Sequence, residues 1–393
     1  MIIYALAQVG AFVAFIDLLQ VVTPIKAAAI APGNKTAVLS DVMIVGAIAA
    51  SVSNIIFGAV SDRTTSRFGR RRPWMIAGLV GVMVSYALVA LAGTPLMLGL
   101  AIVLFQIAFN MFYAPFGAVV ADRVPNRQKG LVSALIGVGF AAGDLVSAGL
   151  VTPIRHGLVP GLACLGLTVM VLIAPCALAL RDPPVVRHRA PFRPIPTKVT
   201  TDLVLAVLSR QGVFTGQLLM LSYMLFNIRD RQAASGWLPH GLDPEQALAQ
   251  LLAVSAVTVA LMSVTCGGLS DRIGHRRPFL AASGVGMAAI IAAAGFVTSW
   301  PSMLVLYALL GAAMGCYRAV DGALMVEVLP STADAGRDLG WVNLSNTMPQ
   351  MMASGLALLV MDQAHGGYRM LFLAGAVVTA VGGALALRIR NVK

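Results

Sequence analysis

Apolar residues run along this chain in blocks of about twenty, with polar residues gathered at the breaks rather than recurring with the period of a surface helix or strand. A block of about that length spans the hydrocarbon core of a bilayer as an α-helix. The breaks, marked by charge or by Pro/Gly clusters, predict twelve spans. They fall at 1–26, 37–60, 74–93, 96–121, 131–152, 159–180, 203–228, 247–269, 279–299, 302–326, 339–361 and 367–387. Met1 enters the first block with no basic leader and no small-residue cleavage site, so the block reads as a span rather than a signal peptide.

Between spans six and seven, residues 181–202 read RDPPVVRHRAPFRPIPTKVTTD, and five prolines among clustered charges mark a linker. The predicted organisation is an N-terminal six-helix bundle (1–180), a cytoplasmic linker (181–202) and a C-terminal six-helix bundle (203–393). The two parts echo each other. GAVSDR at 58–63 returns as GGLSDR at 267–272, and the stretch ending VVADRVP at Pro125 returns as one ending LMVEVLP at Pro330. The second match sets Asp122 against Glu327 and Gly117 against Gly322. Parallel six-helix repeats in an apolar chain point to an all-α integral membrane protein with a site at the repeat interface.

Composition agrees: 58% of the 393 residues are apolar and 11% charged, and the mean hydropathy is +0.85. Twelve spans consume about 240 residues, which leaves no room for a sizeable soluble domain. The net charge of +12 raises the question of nucleic acid. Its distribution gives the answer. With the N-terminus inside, 20 of the 28 Lys and Arg residues fall in cytoplasmic segments and 6 outside; Arg210 and Arg318 lie within spans. This is the positive-inside pattern of a multi-pass protein with both termini cytoplasmic, and it requires no nucleic acid. Arginine outnumbers lysine 23 to 5, which suggests a GC-rich bacterial genome and hence the inner membrane; the expected partners are the lipid bilayer and a small-molecule solute, and the expected working unit is a monomer.

Cys164, Cys176, Cys266 and Cys316 all lie in apolar runs and behave as small hydrophobes. The five histidines fall outside the spans, and Trp74, Trp237, Trp300 and Trp341 sit at span ends or in a loop, as an interfacial belt would place them. No nucleophile-base arrangement, metal-ligand spacing or phosphate loop is present, so an enzyme, a metal site and a cofactor are not expected. Without an ATP-binding loop, energy must come from an ion gradient, proton or sodium, or from the solute's own gradient.

GAVSDRTTSRFGRRRPW, residues 58–74, resembles the signature cytoplasmic loop of the major facilitator superfamily. The form SDRTTSRFGRRRP, with Thr23-Pro24 at the end of span one, is similar to the branch of sucrose transporters and glycoside-pentoside-hexuronide symporters. The superfamily resemblance covers the whole chain and implies the major facilitator fold. Asp62 ends span two, where a carboxylate can approach the positive end of a neighbouring helix. The resemblance implies that this neighbour is span eleven, starting near Leu339, and that the contact shuts the cytoplasmic side. Around Gly69, the residues Arg63, Arg67, Arg70 and Arg71 then supply bridging charge, while Asp271 and Arg272 repeat the device against span five. The plainer alternative is that the arginines only set orientation.

Of sixteen acidic residues, Asp17, Asp144 and Asp321 fall inside spans, where each needs a partner, a proton or a cavity. Arg318 and Asp321, three apart, share a helical face and can pair, as an orienting ion pair or as a modulated proton carrier. Asp17 has only Gln20 near it on its own helix and reads as a proton carrier; Asp144 lies past the midplane, beside Ser147. Sucrose-transporter relatives place an acid in span four, which here has none. Span four instead carries Gln106, Asn110 and Tyr113 on one face, flanked by Phe105, Phe109, Phe112 and Phe116. Amides and a hydroxyl beside rings suit a polyhydroxylated ligand, or equally join helices. Asn346 and Gln350 in span eleven and Gln217 and Tyr223 in span seven are further solute contacts; Arg210 either snorkels or binds.

These readings favour a secondary transporter of a polar organic solute, a sugar or glycoside, with proton coupling through Asp17, Asp321 or both. A proton-driven exporter of amphipathic compounds is the competing reading, favoured by abundant Met and Phe. A third is a non-transporting scaffold for membrane assembly, against which the paired gating motifs count.

Overall fold

The computed structural model describes residues 2–66, 68–123, 139, 142–143, 145–150, 157–179, 200–273, 276–328, 348–364 and 366–389. Among these residues the chain is helical and contains no strand. Ten helical stretches are long and apolar enough to cross a membrane: Ile2–Ile30, Pro32–Arg63, Arg72–Leu91, Pro95–Val119, Leu158–Ala179, Thr201–Ser235, Pro244–Ser270, Arg277–Ala294, Trp300–Gly322 and Tyr368–Arg388. They correspond to every predicted span except five and eleven, of which only 139, 142–143 and 145–150, and 348–363, are described.

Local chemistry fixes where the helices stop. Thr200 caps the long span seven by accepting the Leu203 backbone N–H at 3.2 Å. Gly236, at φ 59°, ends it in the left-handed conformation that glycine adopts without a Cβ penalty. Proline opens spans three and nine in the first turn, where its missing N–H costs nothing. Span one is interrupted by a π-helical turn over Asp17–Val22 before it resumes over Thr23–Ile30. A second π-turn, Leu358–Gln363, closes span eleven.

Helix association in lipid depends on close approach rather than on apolar burial, so small residues mark the seams. Spans seven and twelve cross at Gly212 and Gly382: a Cβ on Gly212 would lie 2.7 Å from the Val378 carbonyl oxygen and 2.8 Å from the Gly382 Cα. The first spans pack as one with six, two and three with four, and three with six. The last pack as eight with ten, nine with ten and twelve, and seven with twelve. Contacts between these two sets join the π-turn of span one and Thr23–Ile30 to span seven, and span two to the π-turn of span eleven. These contacts lie toward the end of the molecule that carries the Pro32–Asn34 turn and Gly236; the opposite end carries Asp62 and the loop that follows it.

Candidate functional site

At the Asn34 end, Lys35 pairs with Asp230 of span seven while its ammonium lies 5.2 Å from the Phe226 ring centre. Tyr368, at the start of span twelve, donates its hydroxyl to the other Asp230 oxygen at 2.7 Å. One layer further in, Tyr223 and Ser40 share a hydrogen bond at 2.8 Å, and the Gln350 amide reaches the Met43 sulfur at 3.2 Å. Tyr223 and Gln350, expected from sequence as solute contacts, thus join span two to spans seven and eleven in this conformation. Gln217 is half-buried on span seven.

Nearer the Asp62 end, the interior holds charge. Asp321 of span ten is buried and forms an ion pair with Arg210 of span seven, Nη1 to Oδ2 at 3.2 Å. The neighbour expected from sequence spacing was Arg318, on the same helix. Arg318 acts on the same carboxylate electrostatically, and Arg210, unforeseen as a partner, contacts it at 3.2 Å. Phe214 organises the group. Its ring centre lies 5.2 Å from the Arg210 guanidinium carbon and 5.9 Å from that of Arg318. Tyr317 meets the same ring edge-on, at 6.0 Å and 88°, and its hydroxyl shares a 3.4 Å hydrogen bond with Ser209. By helical rise Arg210 sits about 14 Å beyond Thr201, well inside the span.

The first six spans face this group with neutral polar side chains. Gln8 of span one donates its amide to the Tyr113 hydroxyl at 3.3 Å, and Arg210 lies within electrostatic reach of that hydroxyl. Asn54 of span two donates to Asn110 at 2.9 Å, and Asn110 donates to the Gln106 backbone carbonyl at 2.8 Å. The Gln106 side-chain amide is fully buried and has no hydrogen-bond partner among the described residues. The phenylalanine row is packing: Phe105, Phe109 and Tyr113 stack in series at 5.6 and 5.3 Å, Tyr4 lies on Phe116 at 4.4 Å, and Phe15 lies on Phe109 at 5.5 Å.

Asp17, at 0% exposure, opens the π-turn of span one and accepts the Ser147 hydroxyl at 3.0 Å; Gln20 is buried in the same turn. The π ladder is anchored by the Thr23 hydroxyl, which donates to the Leu18 carbonyl at 2.6 Å, and Tyr86 donates to the Ala14 carbonyl just before the turn. Single π-turns inside helices recur at functional positions because the widened turn exposes backbone carbonyls. Asp144 and Asn346 lie outside the described residues.

In the loop at the opposite end, Asp62 pairs with Arg71 at 3.1 Å. Arg71 is tucked in, while the Asp62 side chain is 58% exposed. Gly69, at φ 97°, makes the turn that brings Arg71 back, and the Trp74 indole donates to the Thr64 hydroxyl at 2.8 Å. Arg67 and the start of span eleven lie outside the described residues, as does the side chain of Asp271; Arg272 is exposed, and Arg63 and Arg70 flank the loop. Among the described residues no group of three or more His, Cys, Asp or Glu could hold a metal ion.

Sequence reasoning passed over Gln8, Asn54, Lys35 and Asp230. Gln8 and Asn54 carried a usable signal, an amide within an apolar run. Lys35 and Asp230 gave none, because they lie at span ends where charge is ordinary.

The sequence model of the Major Facilitator Superfamily matches residues 2–243 and 233–393. An uncharacterized symporter of Synechocystis is 39% identical over 54 residues, 14% of this chain and 10% of the relative. The class C tetracycline resistance protein of Escherichia coli is 27% identical over 244 residues, 60% of this chain and 57% of the relative. The chain thus spans a tenth and just over half of the length of these two curated relatives. Among solved structures, an auto-inhibited peptide transporter of the POT family superposes with a TM-score of 0.69 at 12% identity, covering 100% of this chain and 96% of that one.

Proposed function

The chain belongs to the Major Facilitator Superfamily, a transporter in a multi-pass membrane fold and not an enzyme, and we propose that it moves a polar organic solute by alternating access coupled to protons. The observation that carries this reading is the Arg210–Asp321 pair, buried between two membrane helices opposite the amide and hydroxyl groups of Gln8 and Tyr113. An intramembrane ion pair costs several kcal/mol of desolvation and contributes little net stability. Its value to a transporter is that one member can exchange its partner for a proton or a solute. The neutral polar groups across from it suit hydroxyl-bearing solutes of the sugar or glycoside class. Asp17, in its π-turn with Ser147, is the second acid able to carry the proton.

Basic loops assign the Asp62 end to the cytoplasm. On that assignment Lys35, Asp230, Tyr368, Ser40 and Tyr223 close the external side, and Asp62, exposed beside Arg71, is the acid of the cytoplasmic gate. The similarity to a tetracycline resistance protein favours a second reading, export of an amphipathic compound.

The test follows external pH around de-energised proteoliposomes as sugars, glycosides and amphipathic amines are added, in sodium-free buffer. Substrate-driven alkalinisation in the wild type, lost in Asp17→Asn or Asp321→Asn, supports symport and names the carrier. Acidification with amines alone favours export by exchange. Solute flux indifferent to both substitutions would refute proton coupling through these acids.

A further inference from the structure

We infer that Cys266 and Cys316 form an oxidisable dithiol, a modification site at which hydrogen peroxide closes a disulfide between spans eight and ten and thereby slows transport. The effect on transport rests on the transporter reading above; the disulfide rests on packing alone. The two spans meet along small residues spaced four apart. A Cβ on Gly311 would lie 2.8 Å from the Ser255 Cα, one on Gly315 3.0 Å from the Val259 Cα, and one on Gly267 3.7 Å from the Ala319 Cβ. Ser263 fastens the seam by donating its hydroxyl to the Gly315 carbonyl at 3.1 Å. With a carbon–carbon bond of about 1.5 Å, the Cα atoms of Gly315 and Val259 lie within about 4.5 Å, as close as the range of about 4.4–6.8 Å that a disulfide bridges. Each cysteine adjoins a glycine of this seam, Cys316 following Gly315 and Cys266 preceding Gly267. Both are buried and free, and their thiols meet across the seam.

The surroundings suit the product. A disulfide is uncharged and has no donor to satisfy, so forming one in an apolar seam buries no new polar group. One sulfur, ionised, attacks the peroxide and becomes a sulfenic acid, while hydroxide leaves and takes up the thiol proton as water. The other sulfur displaces the sulfenic oxygen as a second water, so two thiols and one peroxide give one S–S bond and two waters. Ser283 of span nine borders Cys316, and its hydroxyl can turn to donate to the sulfur when it ionises. The consequence lies along span ten. Cys316 precedes Asp321 by five residues, about 7.5 Å of helical rise. A covalent tie to span eight therefore fixes the depth and rotation of the helix that carries the acid paired with Arg210.

The test treats the purified protein in proteoliposomes with hydrogen peroxide, caps remaining thiols with N-ethylmaleimide and maps the peptides by mass spectrometry. The Cys266 and Cys316 peptides should be joined, should separate on treatment with dithiothreitol, and should stay apart in Cys266→Ser and Cys316→Ser. Counterflow of whichever sugar, glycoside or amine the protein carries should fall at least about fivefold on oxidation and recover on reduction, with no response to peroxide in either serine variant. Melting temperatures in detergent show whether each variant is folded, and either one alone supplies the comparison. Peptides that stay apart in the wild type overturn the inference whatever the transport result. Joined peptides with unchanged counterflow overturn the effect on transport and leave the transporter reading intact. A reduced protein that carries none of the solutes overturns the transporter reading and that effect with it, while the mass of the peptides still decides the disulfide.

Discussion

Replacing Asp230 by Asn removes the charge that holds Lys35 and Tyr368 together at the Asn34 end, while nearly preserving shape. The Lys35 and Asp230 side chains are 22% and 44% exposed, so the ion pair belongs to the weak, solvent-screened class worth roughly 0.2–1 kcal/mol. The Tyr368 hydroxyl donates to a charged acceptor; such bonds contribute about 1.5–3 kcal/mol when sheltered, and about 1 kcal/mol is reasonable for an acceptor this exposed. Together these terms favour the closed end by about 1–2 kcal/mol, which is roughly a 5- to 30-fold population ratio. The assay is the rate at which a membrane-impermeant maleimide alkylates Ala37→Cys, a buried position two residues from Lys35, after the four native cysteines are replaced. Asp230→Asn should raise that rate about 5- to 30-fold, and Tyr368→Phe by a smaller factor in the same direction. A rate within twofold of the parent in both variants would refute the assignment of these residues as the closure, as would a slower rate.

Three further outcomes follow from the geometry. Asp62→Asn should leave the melting temperature almost unchanged, because its exposed pair with Arg71 contributes at most about 1 kcal/mol, yet slow transport; an intact rate in vesicles would remove Asp62 from the gate. Gly69→Ala places a Cβ at φ 97° and should cost about 1–2 kcal/mol, read as a lower melting temperature in detergent. Gly212→Val pushes side-chain atoms into the backbone of span twelve and should abolish the monodisperse peak in size-exclusion chromatography, whereas Gly117→Ala, which meets open space, should keep it.

The twelve-span outline was legible because each block of apolar residues has to exceed the bilayer thickness, a constraint that acts locally and leaves its mark on consecutive residues. The left-handed turn at Gly69 was not read from the sequence, which placed that glycine only within the loop motif. Arg210 as a partner of Asp321 was not legible either. Spacing along one helix shows only neighbours three and four residues away, and so it offered Arg318. Arg210, more than a hundred residues earlier, becomes a neighbour through the packing of spans seven to ten. The aromatic row of span four shows another limit: periodicity identified the face, but only tertiary contacts with Tyr4 and Phe15 distinguish a packed seam from an open one. Tyr223 and Gln350 read as ligands from their chemistry, and their hydrogen bonds across to span two became visible only once the spans were assembled.

The π-turns at Asp17–Val22 and Leu358–Gln363 change what a single rod can do. One additional residue in a turn rotates everything beyond it by about 100°, so the apolar stripe before the turn and the stripe after it point in different directions. Span one can therefore lie against span six through Ile2–Ile16 and turn a new face toward span seven thereafter. The turn acts as a phase shifter, committing one length of a continuous helix to the internal wall of its own bundle and the other to the moving seam. In span eleven the π-turn ends the helix, and there it meets span two, so both π-turns sit where the two sets of spans touch.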